Sequence, residues 1–436
     1  MLPLWRLMKE WSVSYAALLD AARRKRHAAV RYANSAASLM LGLAAQLVGF
    51  IVLARYLGTD QFGQLMAITA VTNIAANLCG LGAGEAMVRR VAREPSMYSA
   101  LLGHNLILIM LSGAVLVILA IAFIYFMIDF SSGQHISIAV SILVFSNIVL
   151  FRFISLTEQI FIGYFQLMRA NFVNMGFAIA RGMTAVIASV GFGVDRLETW
   201  AFWHGAISVA GACVCIAVLW PYGRPTWKLQ HDELWLGFHF STPNISDAIR
   251  QNIDRLVLAA IVPPATLGIY SAATRIIQTS VVTLNSLTRL IYPKLAIAGQ
   301  ESPSEVRRLA MRYFPFLLGI SCATALTLYI GAGMLPWMFG KDYSNMVFYV
   351  RVLCWILILV AVQNIAYDAL GAAEQHAIRA HVFNSNAQLA VALIAGLTWK
   401  FGLPGTFSAI YGAQFLMSLS LWITLLYVSR KPAPET

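Results

Sequence analysis

The sequence predicts an all-α membrane protein, with about twelve transmembrane helices in two pseudo-symmetric six-helix bundles around a central cavity. Three observations carry this. Hydrophobic residues make up 59% of the chain and charged residues 11%, where a soluble domain carries about 25% charged residues. Apolar runs of roughly 20 residues recur along the whole length, each long enough to cross a bilayer core. Two adjacent runs in the second half confine their polar residues to one helical face.

The spans fall near 33–55, 64–84, 99–127, 136–161, 170–192, 199–220, 236–262, 266–292, 313–338, 346–370, 379–400 and 405–428. An even count puts both termini on one side. With the N-terminus inside, the cytoplasmic segments hold 20 Lys and Arg. The external loops hold Arg196, Lys341 and Lys400, with Arg55 at a border. That asymmetry is the positive-inside rule. It accounts for the net charge of +12 without a nucleic-acid partner, and Arg89, Arg90 and Arg93 read first as orientation signals.

Residues 1–31 carry no cleavable signal. Leu4, Met8, Trp11, Tyr15, Leu18 and Leu19 share one helical face, as an interfacial amphipathic helix requires. The basic run Arg23, Arg24, Lys25 and Arg26 follows and holds the terminus in the cytoplasm. A first six-helix bundle then occupies 32–220, a cytoplasmic linker 221–234, and a second bundle 235–436. The longest cytoplasmic connections are Pro221–Leu234 and Pro293–Arg312. Prolines at 243, 315 and 336 lie in or beside spans and permit kinks.

A short internal repeat matches this division. LARYLGTDQFGQLMAIT (53–69) aligns without gaps to LAAIVPPATLGIYSAAT (258–274), with Leu, Ala, Gly, Ala and Thr coinciding. Each segment joins the first and second helix of its half, as two parallel repeats would give.

The candidate site lies in the two polar stripes. At about 100° per residue, Asn244, Asp247, Arg250, Gln251, Asp254 and Arg255 fall within an arc of roughly 140°. On the next helix Ser271, Thr274, Arg275, Gln278, Asn285, Ser286 and Arg289 fall within roughly 120°. Charges at membrane depth are costly and face a protein interior or a watery cavity. Two cationic stripes side by side predict a hydrophilic cavity that attracts an anion. The bland alternative is ion pairing within the first stripe, Asp247 with Arg250 and Arg250 with Asp254. Arg275 and Arg289 have no acidic neighbour on their own helix. Arg152 and Arg181 are further cations inside spans. Asn73, Asn77 and Glu85 lie along or at the end of span two. In span one Asn34, Ser35, Ser38, Gly42, Ala45, Gln46 and Gly49 form a small-and-polar face, suited equally to lining a cavity and to close packing. His381, Asn384, Ser385 and Gln388 share a face read mainly as packing.

Catalytic and metal chemistry has no motif here. Cys79, Cys213, Cys215, Cys322 and Cys354 all sit inside apolar spans, where neither disulfides nor a zinc site are expected. The glycine-rich GAGE at 82–85 is no phosphate loop, because no Gly-Lys-Ser/Thr follows. No Gly-x-Ser-x-Gly elbow occurs. No metal or cofactor is expected.

Four stretches resemble one known family. ARYLGTDQFGQLMAIT and GLGAGEAMVRRVARE are similar to the N-terminal signature of bacterial polysaccharide flippases, the O-antigen-type and exopolysaccharide-repeat transporters of the multidrug/oligosaccharidyl-lipid/polysaccharide exporter superfamily. NIDRLVLAAIVPPATLGIYSAATRIIQ resembles the family's Asp-Arg span and its Gly-Ile-Tyr-Ser-Ala hairpin, and FGKDYS its Phe-Gly-x-x-Tyr turn. The resemblance implies a V-shaped pair of six-helix bundles in the bacterial inner membrane, with both termini cytoplasmic. It implies alternating-access transfer of an undecaprenyl-diphosphate-linked oligosaccharide from the cytoplasmic to the periplasmic leaflet. Membrane lipids, a polysaccharide polymerase and chain-length or export proteins would be its partners.

A lipid diphosphate suits a cationic cavity, since arginine binds such groups with paired donors. Arg181, Arg250, Arg255, Arg275 and Arg289 are the expected headgroup contacts, with Gln278 and Asn285 on the same stripe. Asp247 and Asp254 either orient those arginines or couple transport to H+ or Na+. The main rival is a cation-coupled drug or metabolite antiporter, whose cavity should be acidic. A membrane polymerase or ligase would need larger external loops, and a non-transporting scaffold would leave the buried arginines without a purpose beyond pairing.

Overall fold

The computed structural model describes residues 42–127 and 134–429, and there every regular element is a helix, joined by turns and by irregular stretches such as 223–230. The expected amphipathic segment 1–31, its basic run, and Asn34, Ser35 and Ser38 lie outside the described residues, as does the side chain of Arg289.

Eight helical stretches among the described residues are long and apolar enough to cross a membrane. The first, α1 (Gly42–Leu78), turns at Gly58, whose φ of 70° breaks the helical run. Glycine adopts that left-handed backbone at little cost. A turn over 79–82 follows, with positive φ at Gly80, Leu81 and Gly82. Span two therefore ends earlier than the apolar pattern predicts. The amphipathic α2 (Ala83–Arg93) begins there, burying Met87 and Val91 and leaving Arg89, Arg90 and Arg93 exposed. Then come α3 (Tyr98–Met127), α4 (Gln134–Phe145) and α5 (Phe151–Gly163). The last two are joined by a π-turn at Ser146–Leu150. Next are α6 (Leu167–Val186) and α7 (Leu197–Leu219).

The linker is not free. Its backbone N–H at Thr226 donates to the Ser99 carbonyl at 2.8 Å, and that at Gln230 to His104 Nδ1 at 3.1 Å. It is strapped to α3, so bending between the halves falls to α8 (His231–Ile261), which carries Pro243 inside it. The start of α8 packs on α2, where Arg90 pairs with the buried Glu233 at 2.6 Å. α8 also packs on α14.

The second expected cytoplasmic loop is helical. α9 (Pro264–Glu301) runs through Pro293, and α10 (Pro303–Gly331) starts at once. Ser302 caps α10, its hydroxyl accepting from the Glu305 N–H at 3.2 Å. Leu295, Val306 and Ala310 bury an apolar seam that holds these extensions to α13. α11 (Leu335–Phe339), α12 (Met346–Leu353) and α13 (Ile356–Ala372) follow. α14 (His376–Val428) is bent at Gly402, where φ is 62°.

The repeat seen in the sequence is also a contact. Gly63 and Gly268 align within it, as do Thr59 and Pro264. A Cβ on Gly63 would run into the Pro264 carbonyl and lie 3.1 Å from the Gly268 nitrogen. A Cβ on Gly268 would run into the Thr59 carbonyl and lie 3.0 Å from the Gly63 nitrogen. The contact is reciprocal, as a two-fold relation demands. Beside it, Tyr343 donates to the Ala54 carbonyl at 2.9 Å. Burial, and then the Asp342 charge, push that hydroxyl up, so it stays a donor.

Overpacking a close contact costs about 1–3 kcal/mol. Gly63→Val and Gly268→Val should each lower thermal stability in detergent accordingly. Gly319→Val, where a Cβ meets nothing within 4 Å, should leave the melting temperature nearly unchanged.

Candidate functional site

The two halves enclose a cavity of about 320 Å³ behind the glycine contact. α1 contributes Gln46, Phe50, Phe62 and Asn73, α6 contributes Phe177 and Arg181, α7 contributes His204, α8 contributes Arg255, and α9 contributes Arg275 and Gln278. Among the described residues no carboxylate lines it.

The three lining arginines have little to neutralise them. Arg275 donates weakly to Gln46 Oε1 at 3.4 Å and lies over the Phe50 ring at 5.7 Å. Arg255 reaches Thr274 Oγ1 at 3.3 Å. Arg181 lies over Phe177 at 5.7 Å and makes no hydrogen bond or ion pair to the described residues. The Nε atoms of Arg255 and Arg275 are buried without a partner among the described residues. Arg181 and Arg275 are close enough to repel, and so are Arg275 and Arg255. Such a chain of cations favours an anion that could accept from all three.

The other expected contacts divide. Arg250 is outside the cavity wall. It bonds Asp247 at 2.7 Å, which also accepts from Gln251, and lies over Phe383 at 6.0 Å. Asn285 accepts from Asn364 at 2.7 Å. Asp254 is buried, its Oδ2 accepting from Tyr270 at 2.5 Å and its Oδ1 left without a partner. Arg152 is paired with an acid, since Glu85 holds it at 3.1 Å and Gln159 donates to the same carboxylate. Sequence distance had hidden that pair. In span one both readings of the small-polar face hold at once. Gln46 lines the cavity, while a Cβ on Gly49 would lie 2.7 Å from the Gly182 Cα.

Sequence reasoning missed His204, Asn147, Trp200 and Phe177 on the wall. His204 Nε2 meets Asn147 Oδ1 at 2.9 Å, and Asn147 Nδ2 reaches Thr72 Oγ1 at 3.3 Å. Asn147 sits in the π-turn of Ser146–Leu150, and such turns often mark functional positions. Its apolar sequence neighbours give no periodic stripe to find it by.

Comparisons with known proteins fit this architecture. A family described as polysaccharide biosynthesis protein matches residues 32–297. An inward-facing multidrug resistance MATE family transporter of the MOP superfamily superposes with a TM-score of 0.72 at 13% identity, covering 92% of this chain and 100% of that one. The lipid II flippase MurJ in an inward closed conformation gives 0.62 at 14%, covering 91% and 89%. An outward-facing MATE transporter gives 0.53 at 14%, covering 91% and 97%. No curated protein sequence matches the chain.

Removing one partner of a buried ion pair costs about 3–5 kcal/mol. Arg152→Ala, whose side chain is 10% exposed, should therefore lose stability on that scale in thermal melts. Arg181→Ala and Arg275→Ala relieve repulsion and should not. Inorganic diphosphate should raise the melting temperature of the parent protein and do so far less in those two variants.

Proposed function

The chain belongs to the polysaccharide biosynthesis protein family, and from that footing we propose that it is a flippase rather than an enzyme. It moves an undecaprenyl-diphosphate-linked oligosaccharide repeat unit from the cytoplasmic to the periplasmic leaflet by alternating access. The observation that carries the reading is the cavity with three uncompensated arginines and no carboxylate among its described lining. A diphosphate offers the charge and the several acceptor oxygens that Arg181, Arg255 and Arg275 lack. A cation antiporter would need the opposite charge there.

The protein is a multi-pass membrane protein. Splitting the kinked stretches Gly42–Leu78 and His376–Val428 and adding α8 and α9 extends the eight candidate spans to twelve. The Gly63–Gly268 contact supports two repeats related by a pseudo-two-fold axis. With cytoplasmic termini in a bacterial inner membrane, that contact lies at the periplasmic side. The greater likeness to an inward-facing transporter than to an outward-facing one agrees with a seal there.

Asp254 is the coupling residue in this reading. It is buried, and Oδ1 is free to take a proton or Na+ beside Arg255. Asp247, half-exposed and paired with Arg250, orients its neighbour instead.

Leaflet-resolved assays of the lipid-linked oligosaccharide in cells test this. Arg275→Ala should trap it on the cytoplasmic leaflet. Arg351→Ala should not, because Arg351 lies over Tyr329 at 5.2 Å on the exposed face. Normal export with Arg275→Ala would sink the cavity assignment. Polymer loss with lipid already delivered outside would favour a polymerase or ligase. Asp254→Asn should cut the dependence of transport on an imposed H+ or Na+ gradient while leaving diphosphate binding intact. A retained gradient response would move coupling elsewhere.

A further inference from the structure

A second, larger hollow of about 870 Å³ lies on the outside of the first half, between α5, α6 and α7. Its wall is almost wholly apolar, with Ile154, Phe172, Val173, Ile207, Val214 and Cys215 among its lining. It is open because its floor is small. A Cβ on Gly176 would meet nothing within 4 Å, and one on Gly211 would lie 3.0 Å from the Phe177 ring.

Three features separate this hollow from ordinary lipid-facing surface. First, it runs along α6 from Gln166 to Ala180. At 1.5 Å per residue that is about 21 Å, roughly two-thirds of a hydrocarbon core of ~30 Å. It thus has the reach of one leaflet. Second, one end carries a cation with no carboxylate partner among the described residues. Arg169 lines the hollow and bonds neutral groups, Gln166 Oε1 at 3.0 Å and the Tyr222 hydroxyl at 2.5 Å. Tyr222 in turn donates to Gln166 at 2.7 Å, and Arg224 lies nearby in the chain over Trp220. Third, the other end touches the arginine cavity. Phe177 lines both spaces, and Arg181 lies over its ring from the cavity side.

We infer that this groove is the docking seat for the lipid substrate before transfer. The hydrocarbon chain lies along α6 and α7, and the anionic head sits by Arg169 at the cytoplasmic surface. Phe177 is the sill over which the head then passes to Arg181. The inference rests on the proposed function for its orientation and for the diphosphate. The occupant is the isoprenoid diphosphate rather than a bulk phospholipid. Phe177 is a wall common to the groove and the arginine cavity, whereas a phospholipid would have no use for that shared wall.

Two probes distinguish the groove from the cavity. Undecaprenyl diphosphate needs both chain and head, while isopentenyl diphosphate reads the head alone. Both are titrated against the purified protein in phosphatidylethanolamine nanodiscs. Gly176→Trp fills the groove where space is free, and Gly176→Ala controls for loss of the glycine itself. Gly176→Trp and Arg169→Gln are each expected to weaken undecaprenyl diphosphate at least fivefold. Isopentenyl diphosphate should bind Gly176→Trp and Gly176→Ala as it binds the parent, and lose affinity in Arg275→Ala. Unchanged undecaprenyl diphosphate affinity in folded Gly176→Trp, judged by intact isopentenyl diphosphate binding, would overturn the inference. Equal displacement by phosphatidylglycerol would also overturn it, leaving a general lipid seat. If neither diphosphate binds the parent protein, the proposed function itself fails and takes the groove assignment with it.

Discussion

The cost of placing a positive charge inside a membrane governs this structure. A guanidinium at that depth needs a carboxylate, an aromatic face, polar groups or water. The chain uses each solution in a different place. Arg152 takes a carboxylate, Glu85, and is thereby a structural residue. Arg250 takes Asp247 and the Phe383 ring. Arg181, Arg255 and Arg275 take only rings and weak neutral acceptors. Those three are then tolerable only beside water or an anion, and they line one cavity. The difference between paired and unpaired cations, rather than their number, marks the site.

The cavity exists because two glycine hairpins close over one end of it. At Gly63 and Gly268 the two backbones approach until a Cβ could not be accommodated. The closeness is reciprocal across aligned positions. Backbone meets backbone there, and the buried rings of Phe62 and Tyr343 pack beside it, their centroids 6.4 Å apart. Tyr343 and Arg55, bonded to the Ala54 and Trp337 carbonyls, add weaker ties around it. The opposite end is held differently, by the strap at Thr226 and Gln230 and by the Arg90–Glu233 pair. These ties fasten the start of α8 to the first half. Beyond Pro243, α8 carries Arg250 over Phe383 of α14, and its Asn252 accepts from Asn73 of α1 at 3.4 Å.

Much of this was legible in the sequence. Helical periodicity located the stripes on α8 and α9, because polar residues among apolar ones stand out at a period of 3.6. It also placed Arg255, Arg275 and Gln278 on faces that do reach the cavity. Periodicity could not say which stripe members are paired off, since partners such as Glu85 for Arg152 are distant in the chain. It could not find His204 or Asn147, which sit in largely apolar runs and belong to no polar stripe. The helical extensions of α9 and α10 were hidden by a different effect. Their charged sequence reads as loop, yet Ser302 caps one helix and a narrow apolar seam holds both. The lateral groove is invisible in principle, because its lining is as apolar as any lipid-facing surface.

One contact decides the sign of the cavity. Asp254 directly precedes Arg255, and a carboxylate there could neutralise the arginine and make the wall nearly neutral. Tyr270 prevents this by donating to Asp254 Oδ2 from α9. The bond turns the acid toward the helix interface and leaves Arg255 to face Arg275. Tyr270 is itself fully buried and packs near Phe407 of α14. The Gly-Ile-Tyr-Ser-Ala hairpin thus does two things within a few residues. Gly268 closes the two halves, and Tyr270 sequesters the acid beneath them. Gly268 and Tyr270 lie on the same turn of α9, and the Tyr270–Asp254 bond ties that turn to α8. The proposed coupling residue, Asp254, and the Gly63–Gly268 contact therefore meet at one helical turn, without a longer pathway between them.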